Sequence, residues 1–582
     1  MMTATELYTI DERKSNGIFY TPKFLSDYLA KKISQYLKNK ENISLLDPAC
    51  GDNMLLSSFI SQATISNITI ENVIGIDKDI VAINNSSEFG KVSPTINIQL
   101  LNTDSLFPFK SKLSNEGWKK LRNKYNHKRK FDVIISNPPW GASLKEYDND
   151  LLSSNYSLAK GQFDIYALFI ELILRNLSAN GVYGLIIPDS IFNHEQTNLR
   201  KYLTQKTTIY YIARLGEKIF PEINRACSLV IGSNNKPTEI HKVDCMRLPV
   251  NFRKKILSKE ISLEDVENEL LHKVVQQRFS TNENYLFDID LRNSEEGTLK
   301  RIETSSISLS RIVTNTRGAE LSKKGVVCKC PICGKWMPYP KSEIFKCKHC
   351  NKSINIAQIK SEKIIHPHEE KGCAKLKVGE DLYRYTSRYK CWMDISKDGI
   401  NYKNPSIYKG EKILVRKTGV GITASIDYDN SYTNQVVYIL KLKPELKKFL
   451  TLEFVLSVLN SRIITYYLIK KYGENEWRTH PYLTQKMLIS LPFPEIDYSS
   501  DILRKKINDI TELIKKEIVD SNEKNISKKT DIIIEQFVAS LYGLKLKDYL
   551  EIFDTLNSSE QLIPIKRLTN CTANEIFSKD GI

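Results

Sequence analysis

Short apolar runs rich in β-branched residues recur through the first half of the chain, with stretches of helical spacing between them. Ile43-Ser44-Leu45-Leu46, Val73-Ile74-Gly75-Ile76, Ile96 to Leu101, Phe131-Asp132-Val133-Ile134-Ile135 and Gly181 to Pro188 have the length and composition of buried strands. Phe24, Leu25, Tyr28, Leu29, Ile33, Tyr36 and Leu37 share one helical face, and Gln162 to Leu174 is apolar at helical spacing. The alternation predicts an α/β fold built on a doubly wound, mostly parallel sheet. Leu215 to Pro221 followed by Cys227 to Ile231 reads as its last strand pair, and Leu263 to Gln277 as one later helix.

Polar chemistry gathers where these runs end. Asp47-Pro48-Ala49-Cys50-Gly51-Asp52-Asn53 joins the first strand to the apolar Met54-Leu55-Leu56, the strand, tight loop and helix order that aims backbone amides at a ligand. The second strand ends in Asp77 and the third leads to Asp104. Three such acids could be helix caps, yet with the loop they favour a nucleoside-containing cofactor. Thr21-Pro22, after Gly17-Ile18-Phe19-Tyr20, is expected to open a helix at Thr21 with Pro22 at its first position.

The fourth strand stops at Asn137-Pro138-Pro139-Trp140. Proline has no N–H and a fixed φ, so two in succession end the strand and leave the Asn137 amide and Pro138 carbonyl as outward acceptors. Two acceptors could hold the hydrogens of an exocyclic amine, and Trp140 offers a face for stacking. Taken alone, the tetrapeptide also reads as a simple strand-ending turn.

The order Thr21-Pro22, Asp47-Pro48-Ala49-Cys50-Gly51, Asp77, Asp104, Asn137-Pro138-Pro139-Trp140 resembles the gamma arrangement of the amino-group DNA methyltransferases that modify N6 of adenine. The resemblance implies a class I methyltransferase fold, S-adenosylmethionine as methyl donor and double-stranded DNA as partner. It implies that Thr21 and Pro22 lie at the methionine part of the cofactor and that Asp47 to Gly51 cradle it. Asp77 would take the ribose and Asp104 the adenine amine. The catalytic corner would be Asn137 to Trp140, with Phe220 stacking on a flipped base opposite Trp140. One departure is visible: Asn53 stands where the family loop usually has a second glycine, and asparagine is the non-glycine residue that best tolerates a left-handed conformation.

The chain has 582 residues, too many for one core. The boundaries expected are a catalytic domain over 1–245, a connection over 246–300, a mixed α+β recognition lobe over 301–500 and a helical segment over 501–582. Lysine and arginine number 85 against 68 acids, a net charge of +17 that permits a polyanionic partner without identifying one. Neither a signal peptide nor a membrane-spanning run stands out, so a cytoplasmic protein without a membrane partner is expected.

Five of the eleven cysteines fall between 328 and 350. Cys330-Pro331-Ile332-Cys333 and Cys347-Lys348-His349-Cys350 are two knuckles whose four thiolates suit one structural zinc ion, a ribbon over 326–355 inserted in the recognition lobe. Cys328 and His349 are spare donors. Thr316 to Glu320, Tyr383 to Trp392 and Leu414 to Ile422 place basic residues among aromatics and glycines, as phosphate-tracking surfaces do. His480-Pro481-Tyr482-Leu483 and Leu491-Pro492-Phe493-Pro494 complete the likeness to a recognition lobe.

The expected protein is thus a site-specific adenine-N6 methyltransferase of restriction-modification type. Cofactor motifs beginning before residue 25 leave no space ahead for a nuclease, so methylation without cutting is expected, with a separately encoded restriction or defence partner. An RNA or cytosine-N4 methyltransferase, and an inactive zinc-ribbon DNA-binding protein, are the rival readings.

Overall fold

A computed structural model describes residues 21–578, apart from 38–39, 86–88, 90–95, 126, 128, 221–224, 474–482, 521–525 and 559–562. Gly17 to Tyr20, Pro221 and His480 to Tyr482 lie outside the described residues. The chain forms two units, 1–293 and 294–582.

The first unit is organised by a nine-stranded sheet of order β3-β2-β1-β4-β5-β7-β6-β8-β9. Its strands are β1 Ile43–Asp47, β2 Ile70–Asp77, β3 Asn97–Asn102, β4 Phe131–Ser136, β5 Leu177–Pro188, β6 Thr208–Gly216, β7 Cys227–Ser233, β8 Lys242–Arg247 and β9 His272–Val275. The first five run parallel, and β7 lies antiparallel between β5 and β6. The doubly wound expectation holds for the mostly parallel half.

Strands β1 and β4 are central and covered on both faces, so their apolar runs need no polar alternation. Leu45, Leu46, Val133 and Ile134 are fully buried, each contributing about 1.5–3 kcal/mol by leaving water. The helix Lys23–Ser34 lies against β5 at Gly184, where a Cβ would collide with Ile33 Cδ1. A side chain there would push the helix off the sheet.

Three expectations are corrected. The first helix spans Lys23–Ser34, not Thr21 onward: Pro22 has an extended ψ of 139° and stands before the helix, its carbonyl accepting from the amides of Leu25 and Ser26. The single helix expected over Leu263 to Gln277 is broken into Leu263–Leu270 and Gln276–Thr281, because Val274 and Val275 pair with β8 as strand β9. For the same reason β6 and β7 are not the last pair of the sheet, which continues through β8 and β9.

The second unit is mixed α+β. Val313–Arg317, Val437–Leu442, Lys412–Arg416 and Ala424–Asp427 form an antiparallel sheet in that order. Ile365–His366, Cys391–Asp394, Cys373–Lys377 and Tyr432–Thr433 form a second, mixed sheet, whose last pair is parallel. The expected ribbon is a three-stranded sheet centred on Val326–Lys329 and a hairpin of Ile344–Lys346 with Ser353–Asn355.

The segment after 501 is not separate from this unit. Its helix Lys528–Leu541 supplies Asp531 and Glu535, which receive the fully buried Arg462 guanidinium at 2.8 and 3.0 Å. Among the described residues no single helix is long and apolar enough to cross a membrane, and the one bent apolar pair, Leu452–Leu459 and Arg462–Tyr472, is almost wholly buried.

Candidate functional site

β1 lies between β2 and β4, so the strand order reverses at the carboxyl ends of β1 and β4. Open α/β sheets bind ligands at such a switch point, because the loops leaving the two strands diverge there. Asp47 ends β1 and Asn137 follows β4, so the chain's own topology brings the two sequence motifs together.

The loop after β1 is held from within. Cys50 N donates to the Ile76 carbonyl at 2.9 Å and Asn53 N to the Cys50 carbonyl at 2.8 Å. Gly51 and Asn53 both adopt left-handed backbone, at φ 48° and 60°. Asn53 therefore takes the conformation for which a glycine would ordinarily be used, and the loop forms despite the substitution. Its amide is almost completely buried, and neither side-chain polar atom has a partner among the described residues.

Three of the four loop acids share one electrostatic character. Asp47 is fully buried, with Oδ1 accepting from Ala49 N and Ser136 Oγ at 3.0 Å each. Burial pushes its carboxyl up to about 7 against those bonds, with Asp77 and Asp52 adding to the rise. Its Oδ2 has no partner among the described residues. Burial also raises Asp77 and Asp52. Asp77 Oδ2 accepts from Gly51 N at 2.9 Å and Oδ1 from Asp79 N at 2.8 Å, so it ties the loop to the end of β2. Asp104 Oδ1 accepts from Leu106 N at 2.8 Å.

At the other side, Asn137 Nδ2 donates to Thr21 Oγ1 at 3.1 Å. That bond sets the plane of the amide, since its nitrogen edge faces Thr21 and its oxygen edge faces the opposite way. Thr21, expected at the cofactor, is thus placed against Asn137. Trp140 and Phe220 also come together, both buried, with ring centroids 5.2 Å apart and planes at 82°. They meet edge to face, in direct contact with each other.

Two residues around this corner were not singled out from the sequence. Asp164 accepts from Gly141 N with both carboxylate oxygens, at 2.9 and 3.1 Å, and Arg225 Nη1 donates to the Trp140 carbonyl at 3.3 Å. Gly141 has φ 60°, and a Cβ on it would meet Arg225 at 2.6 Å. An Asp before an apolar helical run reads locally as a helix cap, so only the fold reveals that Asp164 fixes the turn after Trp140.

In the second unit, Cys330, Cys333, Cys347 and Cys350 bring their sulfurs within 4.8 Å of one another. The Cys330–Cys350 and Cys333–Cys347 separations are 3.9 and 3.8 Å. Four thiolates about 2.3 Å from a tetrahedral ion stand roughly 3.8 Å apart, so the cluster has the dimensions of a closed four-sulfur site. His349 turns away, its Nε2 lying 3.1 Å from the Trp336 carbonyl, and Cys328 is not among the four.

Comparison with known proteins gives two family matches: Eco57I restriction-modification methylase over residues 23–220, and TaqI-like C-terminal specificity domain over 374–493. The chain is 26% identical over 225 residues to modification methylase CviBIII of Paramecium bursaria Chlorella virus NC1A, covering 38% of this chain and 51% of that protein. It is 30% identical over 226 residues to type II methyltransferase M.BanIII of Aneurinibacillus aneurinilyticus, covering 36% and 38%. Each match thus spans less than two thirds of the relative. Among solved structures, that of DrdV in complex with DNA shares the fold at a TM-score of 0.51 and 13% identity, covering 88% of this chain and 58% of that one. The chain carries an Eco57I-type restriction-modification methylase domain over residues 23–220 and, over 374–493, a TaqI-like C-terminal specificity domain.

Proposed function

We propose that the protein is an S-adenosylmethionine-dependent DNA methyltransferase that modifies N6 of a flipped adenine in double-stranded DNA, without cutting it. The observation that carries this reading is the meeting of the Asp47–Asn53 loop and the Asn137–Trp140 corner at one switch point, bridged to the helix start by Thr21. The residues fit the cofactor. Asp47 Oδ2 is a buried acceptor without a partner among the described residues, suited to a cationic amino group, and Asp77 stands where ribose hydroxyls are taken.

When bound, S-adenosylmethionine supplies an electrophilic methyl group. The Asn137 side-chain oxygen and the Pro138 carbonyl accept the hydrogens of the adenine amine and leave its nitrogen free to attack. Trp140 and Phe220 take the flipped base, which requires Phe220 to move from its edge contact so that a base can stack. Unstacking costs a few kcal/mol, which aromatic contact and two hydrogen bonds offset. Asp164 and Arg225 hold the turn that presents Trp140. The four cysteines hold a structural zinc ion, and the second unit reads the DNA.

The test is transfer of labelled methyl from S-adenosylmethionine to mixed-sequence duplex DNA, with the Asn137→Ala protein in parallel and nuclease digestion to identify the base. Label in N6-methyladenine that is lost in the variant supports the reading. Label in N4-methylcytosine or in RNA replaces the substrate. No label despite measurable cofactor binding overturns the enzyme.

A further inference from the structure

A second group of donors lies outside both sites just described. In the second unit, Ile365–His366 and Cys373–Lys377 flank the strand Cys391–Asp394, with His366 opposite Trp392 and Cys373 opposite Asp394. The connection between the flanking strands closes with Cys373 N donating to the Glu370 carbonyl at 3.0 Å, and Gly372 at φ 86°. This turn sets three unlike ligand groups side by side. His366 Nδ1 is 3.2 Å from Glu370 Oε1, and one ligand atom each of His366, Glu370 and Cys373 lies within 4.8 Å of the others.

We propose that His366, Glu370 and Cys373 form a second metal site, taking a borderline-soft divalent cation of the zinc type. A thiolate, an imidazole and a carboxylate are the three ligand types zinc accepts, at about 2.0–2.3 Å, and the mixture excludes calcium and magnesium, which take oxygen. Donors around such an ion stand closer than 4.8 Å, and the approach is easy here: the Glu370 side chain is 58% exposed and free to swing. Three protein ligands leave a fourth position for water or an exogenous ligand, in contrast to the closed four-cysteine cluster. Such an ion would fasten the two strands that flank Cys391–Asp394 to each other. The proposal does not depend on the methyltransferase reading.

The test is metal stoichiometry of the whole chain, loaded with zinc chloride, desalted and measured by elemental mass spectrometry. Two zinc ions per chain are expected, falling to one in His366→Ala, Cys373→Ser and Glu370→Ala. Because Glu370 is exposed, its replacement leaves folding intact and guards against a misfolded variant. Loading with cobalt gives a second readout: thiolate charge-transfer absorbance should drop by roughly one fifth in Cys373→Ser, one thiolate of five. A count unchanged by all three substitutions overturns the site and leaves His366 and Glu370 as an ordinary hydrogen-bonded pair.

Discussion

Two fully buried aspartates, one in each unit, are treated in opposite ways. Asp427 sits between the buried ammonium groups of Lys377, at 2.6 Å, and Lys412, and also accepts from Ser431. Burial alone would raise its carboxyl, but the two lysines outweigh burial and hold it below the usual carboxylate range. Asp47, by contrast, is pushed up to about 7 and keeps one oxygen without a partner among the described residues. A buried charge with complete pairing is scaffold, since removing one partner strands the other. A buried acceptor left open is held there by the fold at a cost, and that is the mark of a place for a ligand.

The largest effects test this contrast directly. Asp427→Asn leaves Lys377 and Lys412 buried with no counter-charge, so the second unit should lose about 3–5 kcal/mol in denaturant unfolding at neutral pH. Asp47→Asn should do the reverse. A carboxyl whose folded pKa is raised contributes stability that is present below about pH 4 and is lost as pH rises towards 7. Removing it should therefore flatten the decline of the first unit across that window, by up to about 4 kcal/mol, from about 1.4 kcal/mol per unit over 3.8 to about 7. Asp427 has the opposite sign, its stability being lost only as pH falls below the ordinary carboxylate range. Parallel slopes for the two variants would abolish the distinction.

Activity sharpens the same contrast. Asn137→Ala should reduce single-turnover methyl transfer by about 10²–10³-fold, the usual effect of deleting one preorganised polar contact to the reacting group. Cofactor binding measured by calorimetry should change less than about twofold, because the role proposed for Asn137 is on the base. Asp77→Ala should show the converse, a cofactor affinity lower by about tenfold, since its bonds to Gly51 and Asp79 are lost together with the ribose contact proposed for it. If Asp77→Ala binds normally, the loop is organised by Cys50 and Asn53 alone.

The sheet and the position of the site were legible in the sequence because their determinants are local. A β-branched run followed by Asp-Pro or Asn-Pro-Pro announces a strand and its end within about ten residues. What was not legible depends on distant partners. Asp164 reads as a helix cap until the fold brings Gly141 to it. β9 is four residues long and sits inside a helical pattern, so its pairing with β8 decides what its own composition does not. That Trp140 and Phe220 lie together was expected from family resemblance, while their edge-to-face geometry is set by packing. Nor does Asp427 differ from Asp47 in sequence: each ends an apolar strand, and only Lys377, fifty residues earlier, and Lys412 tell them apart.

The smallest expected effect probes how an open site is kept in order. Thr21 accepts from Asn137 Nδ2 at 3.1 Å and is itself buried. Valine has nearly the same shape and no acceptor, so Thr21→Val removes the bond that sets the amide plane without opening a cavity. A net hydrogen bond of about 1 kcal/mol corresponds to roughly a fivefold fall in the methyl-transfer rate. Thr21→Ser, which keeps the hydroxyl, should restore most of it. A merely structural role for Thr21 would lower thermal stability in both variants and leave the rate per folded molecule unchanged. If the sequence expectation is right and Thr21 serves the cofactor, the loss should appear in cofactor affinity instead. Rate at saturating cofactor separates these outcomes, because orientation of Asn137 matters only once the base is in place.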